Sequence, residues 1–240
     1  MENSLSVALS RQAVLGRQMD IISTNLANMN TAGFKAESLV FTEFQEPANK
    51  GAPLSLVYDT TSVRDMSEGT LTGTNNPLDL AIHGDGFFAV QTPDGTRYTR
   101  HGAFQLDNLG QIVTLTGNPV LGAGGAPIII PNGTATITIT RDGTVSADAV
   151  EVGKVDVVRF DNPTALSKKG DGLYDAGGQA PRAATDTKVV QGMIEGSNVK
   201  GVTEMTRMID VVRSYQSAGR LAESEHQRIL DAIEIIVGNA

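Results

Sequence analysis

The fold is decided at the N-terminus by residues 5–33, LSVALSRQAVLGRQMDIISTNLANMNTAG, whose apolar side chains recur every seven positions. A heptad repeat of this kind places one apolar seam along an α-helix that packs against another helix. Gly33 suits the left-handed conformation that ends a helix, so we predict a helix over about residues 4–30. Its seam consists of Leu5, Ala8, Gln12, Leu15, Met19, Ile22, Leu26 and Met29.

A second apolar line lies beside this seam and is formed by Val7, Val14 and Ile21. A single partner helix would leave that line facing water, so two adjacent lines indicate contact with more than one neighbour. Helices in proteins gain most of their stability from packing rather than from intrinsic propensity. The N-terminal helix is therefore expected to need partners.

The C-terminus repeats the pattern over residues 197–240, where no proline interrupts a second predicted helix. Ser197 or Asn198 stands where a helix cap belongs, and Gly238 ends the apolar repeat. Matching seams predict that the two ends pair as a coiled coil and self-associate; the alternative is that both helices pack on a central domain. The C-terminal seam consists of Met205, Met208, Ile209, Val212, Tyr215, Gly219, Ala222, Ile229, Ile233 and Ile236.

Between the helices the apolar period falls to about 2, which indicates β-strands. TPDG at residues 92–95 is the strongest hairpin signal, and Asn132-Gly133 and Asp142-Gly143 are predicted as two further hairpin corners. Because the connections are too short for crossover helices, we expect an antiparallel sandwich or an irregular barrel. Strands are predicted at residues 78–82, 87–91, 96–99, 104–106, 112–115, 128–130, 135–140, 144–147, 152–160 and 189–194.

The predicted fold class is therefore α+β, with long N- and C-terminal helices that pair as a coiled coil and a central antiparallel β-rich domain inserted between them. Residues 161–188, rich in Gly, Asp and Ala, are expected to form loops or extended arms. The predicted domains are an N-terminal helix at 1–34, an extended connecting arm at 35–70, a central β domain at 71–196 and a C-terminal helix at 197–240.

The composition argues against several classes of function. A net charge of −8 repels phosphate backbones, and no basic cluster is longer than Lys168-Lys169, so no nucleic-acid binding is expected. The chain has no cysteine and hence no disulfide, thiol nucleophile or thiolate metal site. Residues 1–10 lack a basic segment and an unbroken apolar core, so no cleavable signal peptide is predicted, and no direct membrane insertion is expected.

No catalytic or metal-binding pattern stands out in the sequence. His83, His101 and His226 are far apart, and none has a second ligand at a metal-binding spacing. Gly84-Asp85-Gly86 lacks the Gly-Lys-Ser/Thr ending of a phosphate loop and is interpreted as a tight turn. We therefore predict no enzyme, cofactor or metal; the competing hypothesis is an enzymatic or ligand-binding β domain with helical oligomerisation ends.

Three stretches resemble the flagellar rod and hook protein family. DIISTNLANMNTAGFK at residues 20–35 resembles the family's N-terminal signature. NPLDLAI, GDGFF and YTRHGAF, which together span residues 76–104, are similar to its central β domain. VQGMIEGSNV at residues 190–199, followed by Glu204-Met205, resembles its C-terminal segment.

The resemblance implies a structural subunit of the basal-body rod, in which the terminal helices form a coiled coil at the inner wall of a hollow tube. It also implies export by the flagellar type III apparatus without a cleaved signal, a location in the rod that crosses the periplasm, and contacts with copies of itself and with other axial rod proteins. MENSLSVALS at residues 1–10 and NPLD at 76–79 are most similar to proximal-rod members, with the distal rod as the alternative.

The family signature is carried here by Asn25, Asn28, Asn30, Gly33 and Phe34. The three asparagines are candidates for capping, for bridging to neighbouring subunits or for guiding export. They are equally consistent with ordinary polar residues near the end of a helix.

Overall fold

The computed structural model describes residues 2–46 and 54–238 and confirms the α+β class, with a helix at each end of the chain and antiparallel strands between them. The chain forms two compact units. The helical unit is built from the described residues of 1–27, 37–64 and 200–240, and the β unit is built from residues 28–36 and 65–199.

The helical unit contains two antiparallel helices that contact each other. Asn25, near the end of the first helix, lies 3.2 Å from the carboxylate of Glu204, near the start of the second. Gln12 lies beside Gly219, so positions further from these ends also meet. The elements of this unit are α1 (Glu2–Ala27), β1 (Glu37–Glu46), β2 (Leu54–Arg64) and α2 (Gly201–Gly238).

Both helices begin and end a few residues from the predicted bounds. α1 stops at Ala27 because residues 28–31 turn, with the N–H of Thr31 donating to the carbonyl of Asn28 at 3.1 Å. α2 begins at Gly201 rather than at residue 197. The predicted caps Ser197 and Asn198 therefore lie before the helix.

The predicted connecting arm at residues 35–70 contains a paired hairpin. β1 and β2 are antiparallel from Glu37 opposite Arg64 to Glu46 opposite Leu54, with a register shift between Thr42 and Glu43. Residues 47–53, which the predicted arm includes, lie outside the described residues. The sequence analysis did not predict this pairing.

The β unit is a set of small antiparallel sheets. Its strands are β3 (Leu71–Gly73), β4 (Leu80–His83), β5 (Phe87–Thr92), β6 (Gly95–Thr99), β7 (Phe104–Leu106), β8 (Ile112–Thr114), β9 (Ile137–Ile139), β10 (Thr144–Ala147), β11 (Val150–Lys154), β12 (Val157–Arg159), β13 (Ser167–Lys168), β14 (Leu173–Asp175), β15 (Arg182–Ala183), β16 (Lys188–Gln191) and β17 (Met193–Glu195). The largest sheet has the strand order β13-β14-β6-β5-β12-β15, a second has the order β11-β10-β9, and β16 pairs with β4, β17 with β3 and β7 with β8.

Strand β5 divides the core of this unit into two clusters. Because successive side chains of a strand point to opposite faces, Phe88 and Val90 enter one cluster and Phe87 and Ala89 enter the other. The first cluster also contains Leu80, Ile112, Val145 and Val189. The second contains Tyr98, Phe160, Leu166 and Tyr174. A strand that is buried on both faces explains the continuous apolar run at FFAV.

Most predicted strands and corners are confirmed. TPDG joins β5 to β6 with Thr92 opposite Gly95, and Asp142-Gly143 joins β9 to β10. Asn132-Gly133 forms a turn but not a hairpin corner, because Ile129 before it bridges to Gln111 whereas β9 after it pairs with β10. The predictions of single strands at 152–160 and at 189–194 were also wrong. The first segment breaks between β11 and β12, and the second breaks between β16 and β17.

Candidate functional site

A buried ion network occupies the interior of the β unit. Nζ of Lys35 lies 2.6 Å from Oε1 of Glu195, and Nε of Arg100 lies 2.9 Å from Oε2 of the same carboxylate. The three side chains are 1%, 1% and 4% exposed. Buried charges are tolerated when they are paired and hydrogen-bonded. Glu195 is paired with a cation on each side; its Oε1 accepts hydrogen bonds from Lys35 and Gly69, whereas its buried Oε2 faces Arg100 as an ion pair without a hydrogen bond.

Backbone groups hold each member of this network in place. The Lys35 ammonium also donates to the carbonyl of Ser67 at 2.6 Å, and the N–H of Gly69 donates to Oε1 of Glu195 at 2.9 Å. The Arg100 guanidinium donates to the carbonyls of Gly84 and Gly86 at 2.9 and 2.8 Å. Burial lowers the pKa of Lys35, and the adjacent Glu195 carboxylate opposes that shift.

Gly33 of the family signature lies against this network, and Phe34 follows it within the same unit. The N–H of Gly33 donates to the carbonyl of Glu195 at 2.8 Å, and its φ of 66° lies in the left-handed region. A Cβ at this position would lie 2.6 Å from the backbone carbon of Arg100, so only glycine fits. The ring of Phe34 is buried, and Nζ of Lys168 lies 4.3 Å from its centroid.

Asn25 is a buried residue of the helical unit with three hydrogen bonds. Its Oδ1 accepts from the N–H of Glu37 at 2.9 Å, and its Nδ2 donates to the carbonyl of the same residue at 2.8 Å. Nδ2 also lies within hydrogen-bond distance of the Glu204 carboxylate. The side chain thus connects α1, β1 and α2 within one chain, whereas the bridging role left open for it was between subunits and stays a prediction.

Asn28 and Asn30 lie in the β unit and occupy different surroundings. Asn28 is half-buried, and its side-chain oxygen accepts from the hydroxyl of Thr31 at 3.1 Å. Asn30 is exposed in the same turn. Asn198 makes the longer-range contacts of this region: its Oδ1 accepts from the N–H of Ala36 at 2.7 Å, and its Nδ2 donates to the carbonyl of Asp65 at 2.8 Å.

The predicted N-terminal seam includes buried, half-buried and exposed residues. Ala8 and Ile22 are buried, and Met29 lies beyond the end of α1 and is exposed. The side chain of Leu5 lies outside the described residues. The half-buried members of the seam are Gln12, Leu15, Met19 and Leu26.

The predicted C-terminal seam is partly open to solvent in the single chain, with three of its seven described members exposed and four half-buried. Met205, Ile209 and Tyr215 are exposed. The half-buried members are Met208, Val212, Gly219 and Ala222. The side chains of Ile229, Ile233 and Ile236 lie outside the described residues.

The line of α2 that is buried within the chain runs beside this seam. Glu204, Val211 and Ala218 are buried, and they recur every seven residues. Glu204 meets Asn25 of α1, so this line faces the helix contact. Sequence reasoning missed it because a charged and a small residue do not stand out among larger apolar ones.

Metal-binding clusters are absent from the part of the chain that the structure describes. No group of three His, Cys, Asp or Glu side chains there is placed to hold a metal ion. Neither helix, over its described residues, is long and apolar enough to span a membrane.

Three family models match the chain and together cover both its ends and its middle. The model described as flagella basal body rod protein matches residues 5–35, the flagellar hook protein FlgE/F/G D1 domain matches 81–147, and the flagellar basal body rod FlgEFG protein C-terminal model matches 190–235. Each matched segment contributes one charge to the buried network, namely Lys35, Arg100 and Glu195.

Full-length relatives agree with these models. The flagellar basal-body rod protein FlgF of Caulobacter vibrioides is 41% identical over 98% of this chain and 98% of its own length. FlgF of Salmonella typhimurium is 34% identical over 90% and 91%, and FlgG of Bacillus subtilis is 31% identical over 98% and 99%. This chain belongs to the family of flagellar basal-body rod proteins, a family of structural proteins and not of enzymes.

Proposed function

We propose that this chain is a structural subunit of the flagellar basal-body rod that polymerises through its terminal helices. The observation that carries the proposal is an apolar stripe on α2 that the chain itself leaves uncovered. Val202, Met205 and Ile209 are 82%, 48% and 52% exposed. Helical positions three and four residues apart lie on one face, so these side chains form a continuous surface.

This stripe is distinct from the line that α2 already buries. Glu204, Val211 and Ala218 are covered within the chain, whereas Val202, Met205 and Ile209 are not. Full burial of one such aliphatic side chain contributes roughly 1.5–3 kcal/mol, so covering several in every subunit of a polymer is a substantial driving force. On α1, Leu9 is likewise 54% exposed. Neighbouring subunits in a tube would cover both surfaces.

In this proposal residues 1–34 and 197–240 pair as a coiled coil and form the polymerising domain, and residues 35–70 connect it to the β domain at 71–196. The interaction residues are the two predicted seams, extended by Val202 on α2. The partners are copies of the chain and other axial rod proteins of the basal body. The chain reaches them by the flagellar type III export apparatus and assembles where the rod crosses the periplasm.

The proximal rod is the position we assign to the subunit within the basal body. FlgF proteins match the chain at 41% and 34% identity over most of its length. A distal-rod position is the second candidate, because FlgG of Bacillus subtilis also matches over 98% of the chain. Determining which neighbours it crosslinks to in isolated basal bodies distinguishes the two.

The decisive experiment introduces a charge into the stripe. Ile209→Asp is made in the full chain and expressed in a strain of the source bacterium that lacks its own copy. Because Ile209 is exposed in the single chain, we expect the free energy of unfolding of the purified protein to change by less than about 0.5 kcal/mol. We expect motility and completed rods in isolated basal bodies to be lost, since the buried charge remains unpaired in the polymer.

Thr203→Asp is the matched control for this experiment. It adds the same charge to an exposed position about 120° away around α2, where an acidic residue in the first turn is favourable. We expect normal rods from this variant. Normal rods from Ile209→Asp, with the variant chain incorporated, would contradict polymerisation through the stripe.

A further inference from the structure

Met205 is the most exposed methionine among the described residues, and it belongs to the apolar stripe on α2. Its side chain is 48% exposed, against 37% for Met29. In the single chain the thioether of Met205 is therefore open to solvent and to small oxidants. The half-buried methionines are Met19, Met66, Met193 and Met208.

The side of α2 that carries Met205 is not the side that packs within the chain. At about 100° of rotation per residue, Met205 lies about 120° around the helix from Val211 and about 140° from Ala218, both of which are buried. A chemical change at the sulfur of Met205 therefore leaves the contact between α1 and α2 in place.

Oxidation would reverse the polarity of this side chain. A peroxide transfers one oxygen atom to the thioether, so the sulfur loses two electrons and becomes a sulfoxide, while hydrogen peroxide is reduced to water. Methionine sulfoxide is polar, and methionine sulfoxide reductases convert it back to methionine. In solvent the new oxygen is hydrated, but between packed apolar side chains it would be buried without a hydrogen-bond donor.

We infer that Met205 is a reversible oxidation site at which a peroxide controls the entry of the subunit into the polymer. The inference rests on the proposed polymerisation through the stripe of Val202, Met205 and Ile209. The single chain is the sensitive form, because its thioether is exposed, and the assembled chain is protected, because neighbouring subunits cover the stripe. The oxidised chain stays folded and outside the polymer until a reductase restores the thioether.

The first measurement is the rate of oxidation of each methionine in the purified full chain. Hydrogen peroxide is the probe, and peptide mass spectrometry follows the sulfoxide at each position over time. We expect Met205 to be oxidised at least about threefold faster than the half-buried Met66 and Met193, because peroxide must reach the sulfur to react. An equal or slower rate at Met205 would overturn the inference.

The second measurement replaces the sulfoxide by a permanent polar group. Met205→Gln adds a polar amide to the stripe, whereas Met205→Leu keeps an apolar side chain of similar volume. In a strain that lacks its own copy, Met205→Gln should give at least about threefold fewer completed rods than Met205→Leu, because the buried amide lacks a partner. The urea unfolding midpoint of purified Met205→Gln should match that of the parent chain, which excludes misfolding as the cause.

Thr203→Gln is the matched control for the added amide. Thr203 is exposed and lies about 160° around α2 from Met205, so we expect normal rods from this variant. Equal numbers of rods from Met205→Gln and Met205→Leu would contradict control of assembly by the polarity of this side chain.

The third measurement follows the sulfoxide itself into the rod. The chain carrying Thr203→Met is made in a strain without methionine sulfoxide reductases, and it is exposed to hydrogen peroxide before the other rod proteins are induced. The peroxide is then removed, so that protection inside finished rods does not contribute. Sulfoxide at Met205 should be at least about threefold rarer in rods than in unassembled chains, whereas sulfoxide at position 203 should be equally frequent in both.

The outcomes separate this inference from the function on which it rests. If sulfoxide at Met205 enters rods as readily as sulfoxide at position 203, while Ile209→Asp still prevents rods, oxidation control is wrong and polymerisation through the stripe stands. If Ile209→Asp also gives normal rods, both fail.

Discussion

Replacing Lys35 by methionine tests whether the buried network is a structural requirement of the β unit. Methionine keeps the length and much of the volume of the side chain but removes the charge that contacts Glu195 at 2.6 Å. In Lys35→Met, Glu195 keeps Arg100 and the N–H of Gly69, while the carbonyl of Ser67 loses a donor. The carboxylate is then buried with one cation fewer.

The expected loss in free energy of unfolding follows from the number of partners that Glu195 loses. Removing one partner of a buried ion pair costs about 3–5 kcal/mol, largely because the remaining charge cannot be solvated. Removing Glu195 as well, in Lys35→Met/Glu195→Gln, should cost less than the sum of the two single changes, with a coupling energy of about 1.5–3 kcal/mol between the contacting groups. Arg100 remains the one charged member in that double variant.

Urea unfolding provides the measurement, with near-ultraviolet circular dichroism from the buried Tyr98 and Tyr174 as the signal of the β unit. The chain has no tryptophan to dominate that signal. Lys154→Met is the matched control, because Lys154 pairs with Asp142 at 3.2 Å but both side chains are about half exposed. An exposed pair of this kind contributes about 0–1 kcal/mol. Equal losses in Lys35→Met and Lys154→Met would refute the reasoning.

Three further predictions concern single positions. Gly33→Ala should lower the free energy of unfolding in urea by roughly 2–5 kcal/mol, because alanine is strained in the left-handed conformation and its Cβ clashes with Arg100. Gly177→Ala, at a φ of 58° with open space around it, should lower it by only about 1–2 kcal/mol, because the strain acts alone. Asn25→Ala should lower the free energy of unfolding of the helical unit, followed by helical circular dichroism, by about 1–3 kcal/mol. Ser23→Ala, at an exposed position of the same helix, should lower it by less than about 0.5 kcal/mol. Burial lowers the pKa of His101, so the unfolded state binds a proton more readily than the folded state, and the free energy of unfolding should fall as the pH drops below about 6.5. In urea unfolding between about pH 7.5 and 5.5, His101→Gln should reduce this dependence on pH. An unchanged pH dependence would contradict the prediction.

The features that sequence reasoning predicted depend on local patterns. The helices follow from heptads, and the hairpin at TPDG follows from turn chemistry within four residues. The pairing of β1 with β2 was missed because it depends on which segments meet, and the intervening stretch mixes prolines with polar residues. Register between segments is set by contacts that no short window of sequence contains.

The buried ion network likewise depends on contacts between segments that are far apart in the sequence. Lys35, Arg100 and Glu195 each stood inside one of the three stretches that resemble the family, yet nothing in any single stretch indicated that they meet. The roles of Asn25 were likewise left open because its partners, Glu37 and Glu204, are 12 and 179 residues away. A lysine at the end of a turn is ordinarily a surface residue, and only the assembled β unit makes it buried.

The apolar stripe on α2 and the buried ion network of the β unit have opposite physical requirements, which explains why one is apolar and the other is charged. A surface that drives polymerisation must remain uncovered in the single chain, and the stripe of Val202, Met205 and Ile209 does so. A network that defines the fold must be satisfied before assembly, and Lys35, Arg100 and Glu195 are already buried and paired. Buried ion pairs contribute little net stability but penalise alternative arrangements, because any misplacement leaves a charge unpaired. A subunit that polymerises as proposed therefore benefits from charges in its β unit and apolar residues on its helices, and exchanging the two chemistries would impair both folding and assembly.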